Sequence, residues 1–292
     1  MNSPTRDLGS FLANAGSSWH QMLPRCAFAG CPGRHPILNG ILRRGDGIHC
    51  NGTAWYCSPD CMESALGDHF KHLLGTGPGR EASPRLPLGL ELVSRGLLSS
   101  DQLRAGLDRQ ATRGGLLGEC LRELGFVTED QVTAALASQW SCPVFPPKSI
   151  QPGCASLLPY ALLCAYEMLP VHNVIATRTL YIGFARSINY TVLYAIEKMV
   201  GCKTEPCILP RSILASLLAQ AREQDTRDEV VLDFLLSPAE MAKMVRGYAQ
   251  QLRSDCVRYA GCGKYLWVQV RGARQTVPLL FRTHENLQRP RF

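Results

Sequence analysis

The sequence has no apolar run long enough to cross a membrane. Its most apolar stretch, Cys154 to Val171, is broken by Pro159, Glu167 and Pro170, whereas a span needs about 20 largely apolar residues. The first residues, MNSPTRDLGSFLANAGSSWH, lack the apolar segment of a secretory leader. These absences lead to the expectation of a cytoplasmic chain with no membrane span. Charge is also scarce. Asp, Glu, Lys and Arg make up 19% of the chain against 46% hydrophobic residues, which excludes a disordered polyelectrolyte and permits a sizeable core. The excess of one sign is small, 31 basic against 24 acidic residues for a net +7, and too diffuse by itself to mark a nucleic-acid-binding face.

Catalytic signatures are missing as well. A phosphate-binding loop needs G-x4-G-K-[ST], so that backbone N–H groups cradle phosphates and the hydroxyl holds Mg²⁺. The only Gly-Lys here, Gly263-Lys264, is followed by Tyr265 and has Arg258 where the first glycine belongs. No G-x-S-x-G or H-E-x-x-H occurs, and lone histidines such as His172 and His284 read as surface or structural groups. A non-enzyme is expected.

What is present begins with thirteen cysteines. An odd number scattered over a long chain is not a disulfide framework, so metal binding or burial comes first. Five of them, at 26, 31, 50, 57 and 61, fall within residues 20–72. Cys26-x4-Cys31, then 25 residues, then Cys57-x3-Cys61 suits a tetrahedral structural zinc with ligands from two local turns. Between the pairs, Ile48 to Tyr56 with its Asn51-Gly52 reads as a hairpin. Ser58 as N-cap and Pro59 at N1 open a helix carrying Cys61 in its first turn. Knuckle, hairpin and helix in this order resemble a treble-clef-like zinc finger over residues 20–73. Four buried free thiols are the other reading of the same spacing. His49 and Cys50 are competing ligands, and Cys50 fits the hairpin better. As a function, the finger is either a folding staple facing a protein partner or a nucleic-acid reader. The second wants basic residues on the helix, which offers only Lys71, with Arg34, Arg43 and Arg44 in the loop.

After a Gly- and Pro-containing linker at 74–84 comes a duplication. Residues 87–110 and 116–139 align at a constant offset of 29, with nine of 24 positions identical, which indicates a repeat. Each unit reads as a short helix, a glycine stop (Gly96, Gly125), and a second helix opened by a capping box, Ser99 with Gln102 and Thr128 with Gln131. Leu103/Val132 and Leu107/Leu136 are expected as its buried stripe. The pattern L-G-x2-L-x3-G-x6-L-x3-L-x2-Q resembles the MshEN-type, or GspE N-terminal, domain of type II secretion and type IV pilus assembly ATPases. Downstream, a strand at 179–185, a helix at 189–200, a strand at 202–209 and a helix at 211–224 match that family's second half. The resemblance covers residues 85–224 and includes no ATPase half.

The resemblance implies protein partners in a secretion or pilus apparatus. It also implies cyclic di-GMP binding by the two repeats, as in some members of that family. The first half-site would be Leu88, Gly89, Leu92, Gly96, Leu103, Leu107 and Gln110. The second would be Leu117, Gly118, Leu121, Gly125, Val132, Leu136 and Gln139. Two departures stand out. The family's leading arginines are Pro87 and Leu116 here, with Arg85 and Arg113 nearby, and its acidic-Pro pair is Arg186-Ser187. A ligand site and a bare scaffold of leucines and glycines are both open.

Residues 237–292 read as a small α+β module: a helix capped by Ser237 and Glu240 with Pro238 at N1, then three strands. Cys120, Cys154, Cys164, Cys202 and Cys207 read as core thiols. The expected whole is an α+β regulatory or adaptor protein in three parts, the alternative being a zinc-finger nucleic-acid-binding regulator.

Overall fold

The computed structural model describes residues 25–31, 47–75, 85–224, 229–233 and 235–283. In chain order the elements are β1 (Ile48–Cys50), β2 (Ala54–Tyr56), α1 (Pro59–Gly75), α2 (Leu88–Ser94), α3 (Ser100–Arg113), α4 (Leu117–Glu123), α5 (Glu129–Trp140), α6 (Tyr160–Tyr166), β3 (Met168–Val174), β4 (Thr179–Phe184), α7 (Tyr190–Val200), β5 (Lys203–Ile208), α8 (Arg211–Gln224), β6 (Val230–Leu232), α9 (Pro238–Gln251), β7 (Cys256–Gly261), β8 (Tyr265–Arg271) and β9 (Thr276–Arg282). The fold class is α+β, and the described residues form a six-stranded and a three-stranded sheet. The described residues divide into two compact units, one of 25–75, 230–260 and 265–283, the other of 85–229 with 261–264. The expected linker, apart from the end of α1, and Arg34, Arg43, Arg44 and His284 lie outside the described residues.

In the first unit the Asn-Gly signal is realised as a tight hairpin, with Asn51 and Gly52 both at positive φ (50° and 72°). Helix α1 opens as its sequence dictates, the Cys61 amide donating to Ser58 Oγ at 3.2 Å. The sheet order is β2-β1-β7-β8-β9-β6, so the finger hairpin and the C-terminal strands form one sheet. Strand β1 runs parallel to β7, pairing His49 with Cys256 and Cys50 with Val257. Asn51 extends the pairing through its side chain, accepting from the Tyr259 amide at 2.8 Å and donating to the Tyr259 carbonyl at 3.2 Å. Both layers feed one core, in which Ile48, Met62, Leu66 and Phe70 cluster with Val245, Leu266 and Phe281. The described residues of segments 20–73 and 237–292, expected as separate modules, therefore share a sheet and a core. A hairpin of two three-residue strands is too small to stand alone, and the longer C-terminal strands supply its support.

In the second unit both repeats fold as helix pairs. Gly96 and Gly125 end the short helices at φ 68° and 73°. Ser99 and Thr128 accept from the amides of Gln102 and Gln131 at 3.2 Å, and those glutamines accept in return from the cap amides at 2.9 and 2.8 Å. Leu92, Leu98, Leu121, Val127 and Ala135 form the shared core. The expected stripe needs one correction: Leu107 is 46% exposed. The buried position of α3 is Gly106, whose bare backbone lets Leu121 of α4 approach. That turns the next residue, Leu107, outward.

The remaining half has the expected strand–helix–strand–helix order in β4, α7, β5 and α8, with β4 parallel to β5. Asn189 caps α7 by accepting from the Val192 amide at 3.1 Å. Strand β3, antiparallel to β4, was not expected. It contains Pro170 and its register shifts between Pro170 and His172, which is how an edge strand tolerates a missing donor. Cys120, Cys154 and Cys207 are buried as expected, but Cys164 is exposed and Cys202 half-buried. Cys164 lies on the outer face of α6, whose buried positions are Leu162, Leu163 and Tyr166. Among the described residues no helix is long and apolar enough to cross a membrane.

Candidate functional site

Two constellations gather the residues singled out by sequence. The first is in the finger. Cys26 and Cys31 come from a loop tied to the hairpin by the Ala27 amide donating to the Trp55 carbonyl at 2.8 Å. Cys57 follows β2 and Cys61 lies in the first turn of α1. Their four Sγ atoms lie within 4.8 Å of one another, with Cys31–Cys57 at 3.5 Å and Cys57–Cys61 at 3.8 Å. A tetrahedral thiolate site with metal–sulfur bonds of about 2.3 Å needs sulfur separations of roughly 3.8 Å. The cluster thus fits a metal ion held by four thiolates. Burial, then contact with the neighbouring thiols, pushes the Cys57 thiol up, and burial does the same for Cys61. A bound cation would reverse that preference for the protonated thiol at Cys57 and Cys61. Cys50 is buried in β1 outside the group, as the hairpin reading expected.

The second constellation is the repeat face, built with a pseudo-two-fold correspondence at the offset of 29. Gln110 Nε2 donates to the Gly115 carbonyl at 3.0 Å, and Gln139 Nε2 to the Leu86 carbonyl at 2.6 Å. Each terminal glutamine thus holds the backbone just ahead of the other repeat. The glycines obey the same correspondence. A Cβ on Gly89 would lie 2.5 Å from Leu103 Cδ1 and 3.2 Å from Leu117 Cδ2. One on Gly118 would lie 3.0 Å from Val132 Cγ1 and 3.6 Å from Leu88 Cδ2. Leu88 and Leu117 thus cross between repeats, each against the other's glycine. Leu92 and Leu121 are fully buried beneath them, Leu136 is half-buried and Leu107 faces out.

The half-sites differ in one respect that the repeat alignment did not single out. The Arg85 guanidinium sits 3.7 Å over the Trp140 ring, whereas the corresponding positions of the other repeat are Gly114 and Ala111. Among the described residues Arg113 has no such ring partner, and it is the last residue of α3. Elsewhere in this unit a cavity of about 190 Å³ is lined by Leu157, Ile175, Leu180 and Arg178 among others. The Arg178 guanidinium is already engaged by the Gly201 carbonyl at 2.6 Å. His172 is half-buried, 6.4 Å from Phe145 and 6.3 Å from Tyr181 between ring centres.

No protein-family profile matches the chain. In sequence it is similar to the type IV pilus assembly ATPase PilB of Thermus thermophilus, 23% identical over 135 residues, which are 46% of this chain and 15% of that ATPase. Among solved structures it is similar to MshE with cdg (cyclic di-GMP), at 27% identity and a TM-score of 0.40 over 47% of this chain and 99% of that one. It is also similar to the N-terminal domain of XpsE, at 17% identity and a TM-score of 0.35 over 46% of this chain and 92% of that one. A stretch of a little under half of the chain is similar to the MshEN, or GspE N-terminal, type of domain, and the chain also holds the cysteine cluster.

Proposed function

We propose that this chain is a non-catalytic regulatory and docking protein of a secretion or pilus-assembly apparatus, working in the cytoplasm. Its two repeats bind cyclic di-GMP and its four cysteines hold one structural zinc. The carrying observation is the reciprocal geometry of the repeats. Gln110 and Gln139 make equivalent bonds across the pair, and Gly89 and Gly118 stand at equivalent close approaches. A pseudo-two-fold surface of this kind suits a ligand that is itself two-fold. The similarity to PilB lies in a fraction of that ATPase, and the sequence has no phosphate-binding loop, so the role is recognition rather than hydrolysis. Nucleic-acid reading by the finger is not favoured: α1 carries Asp60, Glu63 and Asp68 beside its single Lys71, and carboxylates repel phosphates.

Calorimetric titration of the full chain with cyclic di-GMP tests this, beside a Gln110→Ala, Gln139→Ala double variant. Saturable binding at micromolar affinity or tighter, lost in the folded variant, is the expected result. No heat and no thermal stabilisation would leave the repeats as a scaffold.

A further inference from the structure

The outer face of α7 carries a feature that neither repeat uses. Val192, Leu193, Ala195, Ile196 and Met199 of this helix are buried. The opposite face presents Tyr190 at 49% and Tyr194 at 59% exposure, followed by Lys198, whose ammonium lies 4.4 Å over the Tyr194 ring. Trp140 stands 6.4 Å from Tyr190 between ring centres and bears Arg85 on its face. Arg85, Trp140, Tyr190, Tyr194 and Lys198 thus form a continuous ridge, aromatic in the middle and cationic at both ends. From Tyr190 to Lys198 alone it runs roughly 12 Å, at 1.5 Å per helical residue.

Several surface cations of this unit have carboxylate partners, among them Arg95 with Glu91, Arg109 with Glu123, Lys203 with Glu205 and Arg211 with Glu119. Arg85 and Lys198 have no ion pair among the described residues. Tyr, Trp and Arg are the residues that dominate the energy of protein interfaces, where they act as anchors.

We propose that this ridge docks an acidic segment of a partner protein, its apolar or aromatic centre lying on Trp140, Tyr190 and Tyr194 and a carboxylate reaching each terminal cation. The charge arrangement selects this occupant. A single-stranded nucleic acid carries a phosphate at every nucleotide and is tracked by cations along its length, whereas the centre of this ridge has neither Lys nor Arg. The inference names the partner chemistry of the docking role proposed above and rests on that role.

The test uses the full chain as bait for a displayed random-peptide library, with the Tyr194→Ala, Lys198→Gln variant as counter-bait and its thermal midpoint measured as a check of folding. Both positions are exposed and lie outside the repeats, so a cyclic di-GMP titration of the same variant reads the ligand proposal separately. The expected peptides carry Asp or Glu on both sides of an apolar or aromatic centre. They bind the variant roughly tenfold more weakly or worse and lose affinity as salt rises. The proposal is overturned by peptides without carboxylates, by equal binding to the variant, or by a selection that yields no ridge-dependent peptide. Oligo(dT) retained by the wild type and released by the variant would overturn it in favour of nucleic acid.

Discussion

The side-chain amide of Gln139 donates to the carbonyl of Leu86 at 2.6 Å, closing the end of the second repeat onto the start of the first. Gln110 makes the corresponding bond to Gly115 at 3.0 Å. A neutral hydrogen bond of this kind contributes about 0.5–1.5 kcal/mol net. Gln110→Ala and Gln139→Ala should each lower stability by about 1 kcal/mol in urea melts. The double variant should be near the sum, because the two bonds share no atoms. No change in either single variant would mean that the glutamines hold nothing.

Glycines of this chain divide by what surrounds them. Gly106 faces Leu121 side-chain atoms so closely that a methyl group displaces them, with Leu117 Cδ1 3.4 Å away. Gly247, in α9, has nothing within 4 Å of the same position. Gly106→Ala should destabilise by about 1–3 kcal/mol through overpacking, less whatever helix propensity returns. Gly247→Ala should stabilise by up to about 1 kcal/mol. Thermal denaturation of both variants checks the pair, and the same sign in both would contradict the packing described.

Much of this was legible in the sequence, and the reason differs from place to place. Capping boxes, the glycine stops and the Asn51-Gly52 hairpin are local physics, so Ser99, Thr128, Gly96 and Gly125 could be read directly. The four clustered cysteines were legible because a metal site would impose short spacings on two turns. The pairing of β1 with β7 was not, since His49 meets Cys256 across a separation that leaves no local mark. Strand β3 was obscured by Pro170, and Leu107 was misplaced because Gly106 rather than a leucine makes the helix contact. The Arg85–Trp140 stack had a faint signal, an arginine close to Pro87.

Removal of the proposed metal should act on the finger and on the C-terminal strands at once. Cys26, Cys31 and Cys61 belong to the same core cluster as Val245 and Phe281, so Cys57→Ser or a strong chelator should loosen residues 230–283 together with the finger. Structural zinc contributes on the order of 10 kcal/mol of apparent free energy at neutral pH. Thiolate ligation competes with protons, so a bound zinc should be released as the pH falls. Metal analysis with limited proteolysis checks this, and a C-terminal segment still protected after chelation would contradict it.

Thiol reactivity should sort the other cysteines. Burial, with the Cys256 thiol second, pushes Cys50 up to about 12, and burial, with Cys142 second, pushes Cys207 up to about 12. At pH 8 only about one part in ten thousand of either would be thiolate. Cys164 is exposed. Alkylation of the native chain followed by peptide mass spectrometry should modify Cys164 first and leave Cys50 and Cys207 unmodified until unfolding. Early labelling of Cys50 would show that the β1–β7 pairing opens readily.

The repeat face is where the functional account stands or falls, and hydrogen exchange of the full chain with and without cyclic di-GMP addresses it most directly. The account predicts added protection in two matching stretches, 86–96 and 115–125, with residues 230–283 unchanged. Exchange that does not alter in either stretch, or protection confined to another part of the chain, would contradict it.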